Sequence, residues 1–307
     1  MHSFPCAAGA VRPSPATIAT SAALSARRDT HLPLKSVRSS CSRTSRPTTS
    51  TFSNRRQSSM SGRSAPADAS ATETEEGGFL WKGSDEYTAL GDRKDEPPLP
   101  LPSLTKSVRV ALVRHGQSTW NAAGRIQGST NFAVLTSKGV AQAETTREML
   151  KDDEFDVLFK SPLARSSKTG DIVWGAREGP VRVLPCLREV DLYSFQGLLK
   201  EEGIKRFGSQ FSQWQKEPAE FEIDEHAPVR ELWYRGSLAW QEVLGCASTF
   251  NTALVVAHNA VNQAMICTAL GMPPTYFRRL LQSNGATTVL DISPTTDPNV
   301  PVRVTVD

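Results

Sequence analysis

No run of 18 apolar residues occurs in this chain of 307, so no membrane-spanning helix is expected. Cysteine is scarce: Cys6, Cys41, Cys186, Cys246 and Cys267 show neither a CxxC pair nor any metal-type spacing. The last three fall in strand-like or helical patterns and read as buried small apolar residues. Histidine is equally sparse, with His2, His31, His115, His226 and His258 alone. Two of these, His115 and His258, directly follow or closely follow apolar runs, which makes them informative.

Acid is almost missing from the first 67 residues, where Asp29 alone stands against nine Arg and one Lys. The same segment is rich in Ser, Thr, Ala and Pro and poor in large apolar side chains. It cannot bury enough surface to offset its ordering entropy. Arg-rich, Ser-rich and acid-poor composition is that of an organelle transit peptide, so residues 1–67 are expected to be a disordered transit segment. Its Ser, Thr and Pro content favours the chloroplast stroma over the mitochondrion. Of the 35 basic and 32 acidic residues, 25 and 31 remain in 68–307. The net charge of +3 therefore comes from the N-terminal segment. A mildly acidic remainder argues against a nucleic-acid surface.

Residues 68–107 read as a linker and N-terminal arm. They hold Phe79-Leu80-Trp81, which could dock on a domain, and the extended run Pro97-Pro-Leu-Pro-Leu-Pro102. From Val108 to Asp307 strands and helices alternate, which predicts one α/β domain, a three-layer α/β/α sandwich with a mostly parallel central sheet. Expected strands are Val108–Val113, Phe155–Lys160, Val181–Leu184, Thr252–Ala257, Ala286–Ile292 and Val302–Val306. Expected helices are Ser137–Lys151, capped by Thr136, then Leu163–Trp174, Gln196–Phe207, Ser209–Lys216, Pro228–Leu244, Ala260–Leu270 and a short one over Tyr276–Gln282. Trp214, Trp233 and Trp240 read as core, and His226 as a solvated loop residue.

The strand Val108–Val113 delivers Arg114-His115-Gly116 to its carboxyl end, and Thr252–Ala257 delivers His258. Ligands of open α/β sheets bind beyond such ends. Two imidazoles would meet there at a pocket of phosphate size. Arginine forks pair bidentately with phosphoryl oxygens, which makes Arg114, beside His115, a candidate.

The stretch Leu112-Val-Arg-His-Gly-Gln-Ser-Thr-Trp-Asn121 resembles the signature of the histidine phosphatase superfamily, the phosphoglycerate-mutase-like fold. Gly124-Arg-Ile-Gln-Gly128, Leu135-Thr-Ser-Lys-Gly139, Ser161-Pro-Leu-Ala-Arg165-Ser, Leu187-Arg-Glu189 and Val255-Val-Ala-His258 follow in that family's order. The resemblance implies His115 as the nucleophile that becomes phosphohistidine. Arg114, Arg165, His258 and Asn121 would hold the phosphoryl group, Glu189 would act as general acid and base, and Gln127, Gly128 and Asn259 would border the substrate. It implies no metal and no cofactor, because arginines and imidazoles supply the positive charge. Structural alternatives stand beside these roles: Glu189 could pair with Arg188, and Asn121 could cap a turn.

His115 and His258 are 143 positions apart. That is short for the mutase branch, whose insertion covers the site, so water rather than a sugar should accept the phosphate. Tyr193, Phe195, Gln196 and Asn259 stand where the family usually has glycine, tryptophan, glutamate and glycine. With Pro228–Trp233 and Leu280–Asn284, these departures resemble a plant chloroplast branch that dephosphorylates a small sugar acid inhibiting Rubisco. Some members of that branch carry a further C-terminal region. Arg125, Lys200, Lys205, Arg206 and Arg230 could serve the acid's carboxylate. A broad sugar-phosphate or phosphoglycerate phosphatase, or a mutase, is the alternative within the family. A catalytically silent phospho-ligand binding protein is the alternative outside it, and the complete His, Arg and Glu set speaks against that.

Overall fold

The computed structural model describes residues 93–297 and 300–307. The expected transit segment and the Phe79–Trp81 arm lie outside the described residues. Six strands form one sheet: β1 (Val108–Arg114), β2 (Val157–Lys160), β3 (Val181–Val183), β4 (Thr252–Ala257), β5 (Thr287–Pro294) and β6 (Val302–Val306). Their order is β3-β2-β4-β1-β5-β6. The β3-β2, β2-β4 and β4-β1 pairs are parallel, and β5 runs antiparallel to both β1 and β6. The expectation of a mostly parallel sheet holds.

Continuous apolar runs form the central strands because both faces of the sheet are covered. Side chains alternate across the pleat, so each run divides between two clusters. Val110 and Leu112 of β1, Phe159 of β2 and Val255 of β4 enter one cluster. Ala111, Val113, Leu158, Leu254 and Val256 enter the other. Helices α2 (Ser137–Met149) and α3 (Ala164–Trp174) cover the second face with Ala143, Val173 and Trp174. On the first face lie α6 (Pro228–Leu244) and α7 (Asn259–Ala269), with Trp233, Trp240, Val261 and Met265. These are the three layers of the sandwich. Trp214, Trp233 and Trp240 are all buried, as the sequence suggested. Cys186 and Cys267 are buried too, and burial pushes their thiols up to about 12 and about 11. Cys246 is only half-buried, so it departs from the expectation for all three.

The remaining helices are short: α1 (Thr119–Ala123), α4 (Lys200–Phe207) and α5 (Ser209–Lys216). Three expectations need correction. Helix α1 was not anticipated. Residues 196–199 do not begin α4; they run beside 125–126, with Ile126 N–H donating to the Leu198 carbonyl and Gly197 N–H to that of Ile126. Gly197 sits at φ +88, outside helical space. The segment 276–282 is not a helix either. A 3-10 turn over Pro274–Tyr276 gives way to Arg278 at φ +70, whose N–H is taken by the buried Gln263 side chain at 2.7 Å. Within the N-terminal arm, Leu99 N–H donates to Ser237 Oγ at 2.9 Å and Gln241 donates to the Pro100 carbonyl at 2.7 Å. The Pro-rich run thereby lies against α6.

The turn leaving β1 needs two glycines. A Cβ on Gly116 would fall 2.1 Å from the Gly139 carbonyl oxygen, and one on Gly139 would fall 2.0 Å from that of Gln117. Gly139→Ala lies in the first turn of α2, where alanine ordinarily gains about 1 kcal/mol. Here the close backbone approach reverses the sign. Urea unfolding should show a lower midpoint at unchanged slope, corresponding to a loss of about 3 kcal/mol.

Candidate active site

Register brings the candidate residues together. Arg114 is the Cα partner of Ala257 across β1 and β4, so the next residues, His115 and His258, leave the sheet side by side. His115 N–H still donates to the Ala257 carbonyl at 3.0 Å. The two rings lie 5.0 Å apart, edge to face. Neighbouring β2 ends at Lys160, and Ser161 N–H donates to the Val256 carbonyl at 3.0 Å. Three adjacent strand ends thus supply one site.

His115 is buried, and its Nδ1 lies 2.6 Å from the Gly116 carbonyl oxygen. A carbonyl only accepts, so Nδ1 carries the proton and the Nε2 lone pair is free. Burial, and then the Arg165 and Arg114 charges, push His115 well below the usual imidazole range. The ring is therefore neutral at physiological pH. His258 is fully buried and lowered in the same way, by burial first and then by Arg165 and His115.

Arg165 is 1 % exposed. Its two terminal nitrogens donate to the carbonyls of Thr130 and Gly128 at 2.7 and 2.8 Å. Burial lowers it to about 10, so it stays charged. Arg188 donates to the intervening Ser129 carbonyl at 2.9 Å, and Gln196 Oε1 accepts the Ser129 N–H at 2.6 Å. Gly128 has φ +52, and a Cβ there would meet Gln196 at 1.9 Å. The carbonyls of Gly128, Ser129 and Thr130 are thus all engaged, two of them by Arg165. Arg114 donates to the Gln282 carbonyl at 2.5 Å. Within this cluster Arg114 Nε, Arg165 Nε and His258 Nδ1 are buried and make no hydrogen bond among the described residues; Gln196 Nε2 and Arg230 Nε, outside it, share that state.

Glu189 is held by backbone N–H groups. Its carboxylate accepts from Val190 N–H at 2.9 Å and, across the fold, from the first-turn N–H groups of Ala260 and Val261 in α7 at 3.1 and 3.2 Å. Oε1 of this carboxyl group thereby caps a helix whose N-cap, His258, makes no side-chain cap bond. Asn121 caps α1 in a capping box with Ser118, so that structural role is real. Its Oδ1 also accepts from Asn284 at 3.4 Å, and its amide NH₂ is left over. Gln127 Oε1 accepts from Ser118 Oγ at 2.6 Å, and Asn259 Oδ1 accepts from Gln282 N–H at 3.1 Å.

Several residues that join these groups were not singled out from sequence. Gln282 donates to the Leu112 carbonyl and to Thr288 and accepts from Asn262. Asn284 donates to the His115 carbonyl at 3.0 Å. Arg235, buried in α6, donates to the Arg188 and Glu189 carbonyls. Ser161 Oγ lies 2.8 Å from His258 Nε2. A buried polar residue inside an apolar pattern is the one signal that could have found Arg235 and Ser161. His226 is not a solvated loop residue. Its ring stacks on Tyr193 at 4.1 Å, and Nδ1 lies 3.0 Å from Glu231. Tyr193 itself sits at φ +44, a backbone that suits the glycine usual there, and its hydroxyl donates to Glu231 at 3.0 Å.

Beside the Gln196–Leu198 segment opens a cleft of about 640 Å³ lined by Trp120, Arg125, Ser194, Glu202, Lys205 and Arg206. Of the five basic residues proposed for a carboxylate, three line it. Lys200 is not among them, and Arg230 pairs with Glu222 at 2.5 Å.

The family model for the histidine phosphatase superfamily, branch 1, matches residues 110–300. The chain belongs to this superfamily. It is 56% identical over 203 residues to the 2-carboxy-D-arabinitol-1-phosphatase of Triticum aestivum, covering 66% of this chain and 40% of the relative. It is 58% identical over 193 residues to an Arabidopsis thaliana protein named "Probable 2-carboxy-D-arabinitol-1-phosphatase", covering 63% of this chain and 40% of that one. The chain thus spans about two fifths of the length of these relatives. Among solved structures, Bacillus stearothermophilus YhfR is similar with a TM-score of 0.59 at 23% identity, covering 65% of this chain and 96% of that one. The mycobacterial glucosyl-3-phosphoglycerate phosphatase gives 0.58 at 22%, covering 66% and 98%. Both share the fold.

Because His115 is held below its unfolded value, the folded state binds fewer protons than the unfolded chain as pH falls below about 6.5. This part of the stability is present above that pH and is lost going downward. His115→Gln removes it. Unfolding free energy should therefore fall more steeply for the wild type than for the variant below pH 6.5, by up to about 1.4 kcal/mol per pH unit, measured by denaturant titration at a series of pH values.

Proposed function

We propose that the chain is a phosphatase that hydrolyses a phosphomonoester of a small sugar acid through a phosphohistidine, with 2-carboxy-D-arabinitol 1-phosphate as substrate. The observation that carries this is the free Nε2 of neutral His115 set among the buried, unpartnered nitrogens of Arg114, Arg165 and His258. Buried donors without partners are costly, and a phosphoryl group with three charged oxygens satisfies all of them together.

Nε2 of His115 attacks phosphorus, a P–N bond forms, and the ester P–O bond breaks. Glu189 gives its proton to the departing alkoxide. Water then attacks the phosphohistidine, Glu189 takes the proton back, the P–N bond breaks, and inorganic phosphate leaves. Arg114, Arg165, His258 and the Asn121 amide hold the equatorial oxygens throughout. Gln127, Gly128 and Asn259 shape the side from which the ester enters. The cleft of Arg125, Lys205 and Arg206 receives the carboxylate and hydroxyls of the sugar acid. The N-terminal composition supports delivery to the chloroplast, where such a substrate would inhibit Rubisco.

Phosphate release is measured from 2-carboxyarabinitol 1-phosphate beside a panel of phosphoglycerates, sugar phosphates and phenyl phosphate. The carboxyarabinitol ester is expected to be preferred, with His115→Ala inactive on all of them. Equal release across the panel would leave a general phosphatase, transfer to a sugar acceptor would make it a mutase, and no release would favour a binding protein. The double variant Lys205→Ala/Arg206→Ala should raise KM for the carboxylated ester about tenfold, the value of one charge-assisted hydrogen bond. Phenyl phosphate hydrolysis should be unchanged by it.

A further inference from the structure

His258 has two ring nitrogens in unlike settings. Nε2 lies 2.8 Å from Ser161 Oγ, and Nδ1 is buried with no hydrogen-bond partner. Ser161 is fully buried, and its Oγ also accepts the Leu163 N–H at 3.3 Å. A serine hydroxyl has one proton to give. Among the described residues, the acceptor for it is His258 Nε2. The alternative places the proton on Nε2. Ser161 would then be left with a buried hydroxyl proton and no acceptor, and His258 would turn a bare lone pair from Nδ1 toward the anion. Both consequences are unfavourable, the first by desolvation and the second by repulsion.

We propose that Ser161 is a positioning residue that sets the tautomer of His258: its hydroxyl donates to Nε2, which places the ring proton on Nδ1 as a donor for the transferring phosphoryl group. This rests on the phosphoryl-transfer reading above and adds a residue to which that reading assigned nothing. The arrangement mirrors His115. There a carbonyl acceptor at Nδ1 leaves Nε2 free to attack, whereas here a hydroxyl donor at Nε2 leaves an N–H to bind. Two imidazoles of the same chemistry take opposite tasks because one meets an acceptor and the other a donor.

The test reads the ring directly, by proton–nitrogen correlation NMR of the full chain labelled with ¹⁵N-histidine. The expected wild-type spectrum has the His258 proton on Nδ1. In Ser161→Ala that preference should be lost, with the affinity for orthovanadate and kcat each falling about tenfold, as for loss of one buried hydrogen bond. KM should change less than kcat. Ser161→Thr, which keeps the hydroxyl, should retain the Nδ1 proton and stay within about twofold of the wild type in vanadate affinity. A wild-type proton on Nε2 would overturn the proposal whatever the variants do, as would unchanged vanadate affinity in Ser161→Ala. The spectrum needs no turnover. A wild type with the Nδ1 proton but no activity on any ester would sink the phosphatase reading alone, and an active enzyme with the Nε2 proton would sink this inference alone.

Discussion

Two guanidinium groups, Arg165 buried and Arg114 half-buried, gather with two buried imidazoles at the ends of β1, β2 and β4, and much of the surrounding structure serves to hold them there. Positive charge and low exposure act in one direction on both rings, keeping them neutral. The arginines cannot relax away from each other. Arg165 is clamped by the carbonyls of Gly128 and Thr130, and Arg114 by that of Gln282. The cost of gathering these groups is met by hydrogen bonds that stop just short of completion, leaving Nε of each arginine and Nδ1 of His258 without partners. The proposed phosphoryl ligand, with three charged oxygens, would complete these bonds.

The hydrogen bonds that fix this cluster come from several separate parts of the chain. The β1–β4 register sets the height of the two histidines. Gln196 and Arg188, far along in sequence, pin the loop that grips Arg165. Glu189 reaches the first turn of α7, so the helix that begins at His258 and the acid of the site are joined through backbone N–H groups. Arg235 in turn holds the carbonyl of Glu189 from α6. Fold and site are therefore one network, and a change in the 128–130 loop reaches Arg165 through backbone carbonyls.

The strands and the long helices were legible in sequence because their patterns arise from local physics. Thr252–Ala257 and Pro228–Leu244 agree end to end, since apolar alternation between two covered faces and a proline at the first helical turn leave little choice. The two histidines stood out by their place at strand ends, and Arg165 only through the resemblance of its segment to a family motif. What escaped was decided by distant partners. Residues 196–199 have helical composition, yet they pair with 125–126 because Gly197 takes a positive φ and Gln196 is drawn into the loop at Ser129. Arg278 leaves helical space where Gln263 of α7 captures its N–H. His226 looked like a loop residue until Tyr193 and Glu231, 33 and 5 positions away, closed around it. Ser161 lay in plain view within a recognised motif, but its task depends on which nitrogen of His258 it faces, and no spacing encodes that.

The central claim is that His115 attacks through Nε2 because Nδ1 is committed to the Gly116 carbonyl. Rapid quenching of the enzyme during turnover into alkali, where phosphohistidine survives, followed by ³¹P NMR of the digested protein, reads the isomer formed. The account requires phosphate on Nε2 of His115. Phosphate on Nδ1, or steady turnover with no phosphohistidine at any quench time, would contradict it.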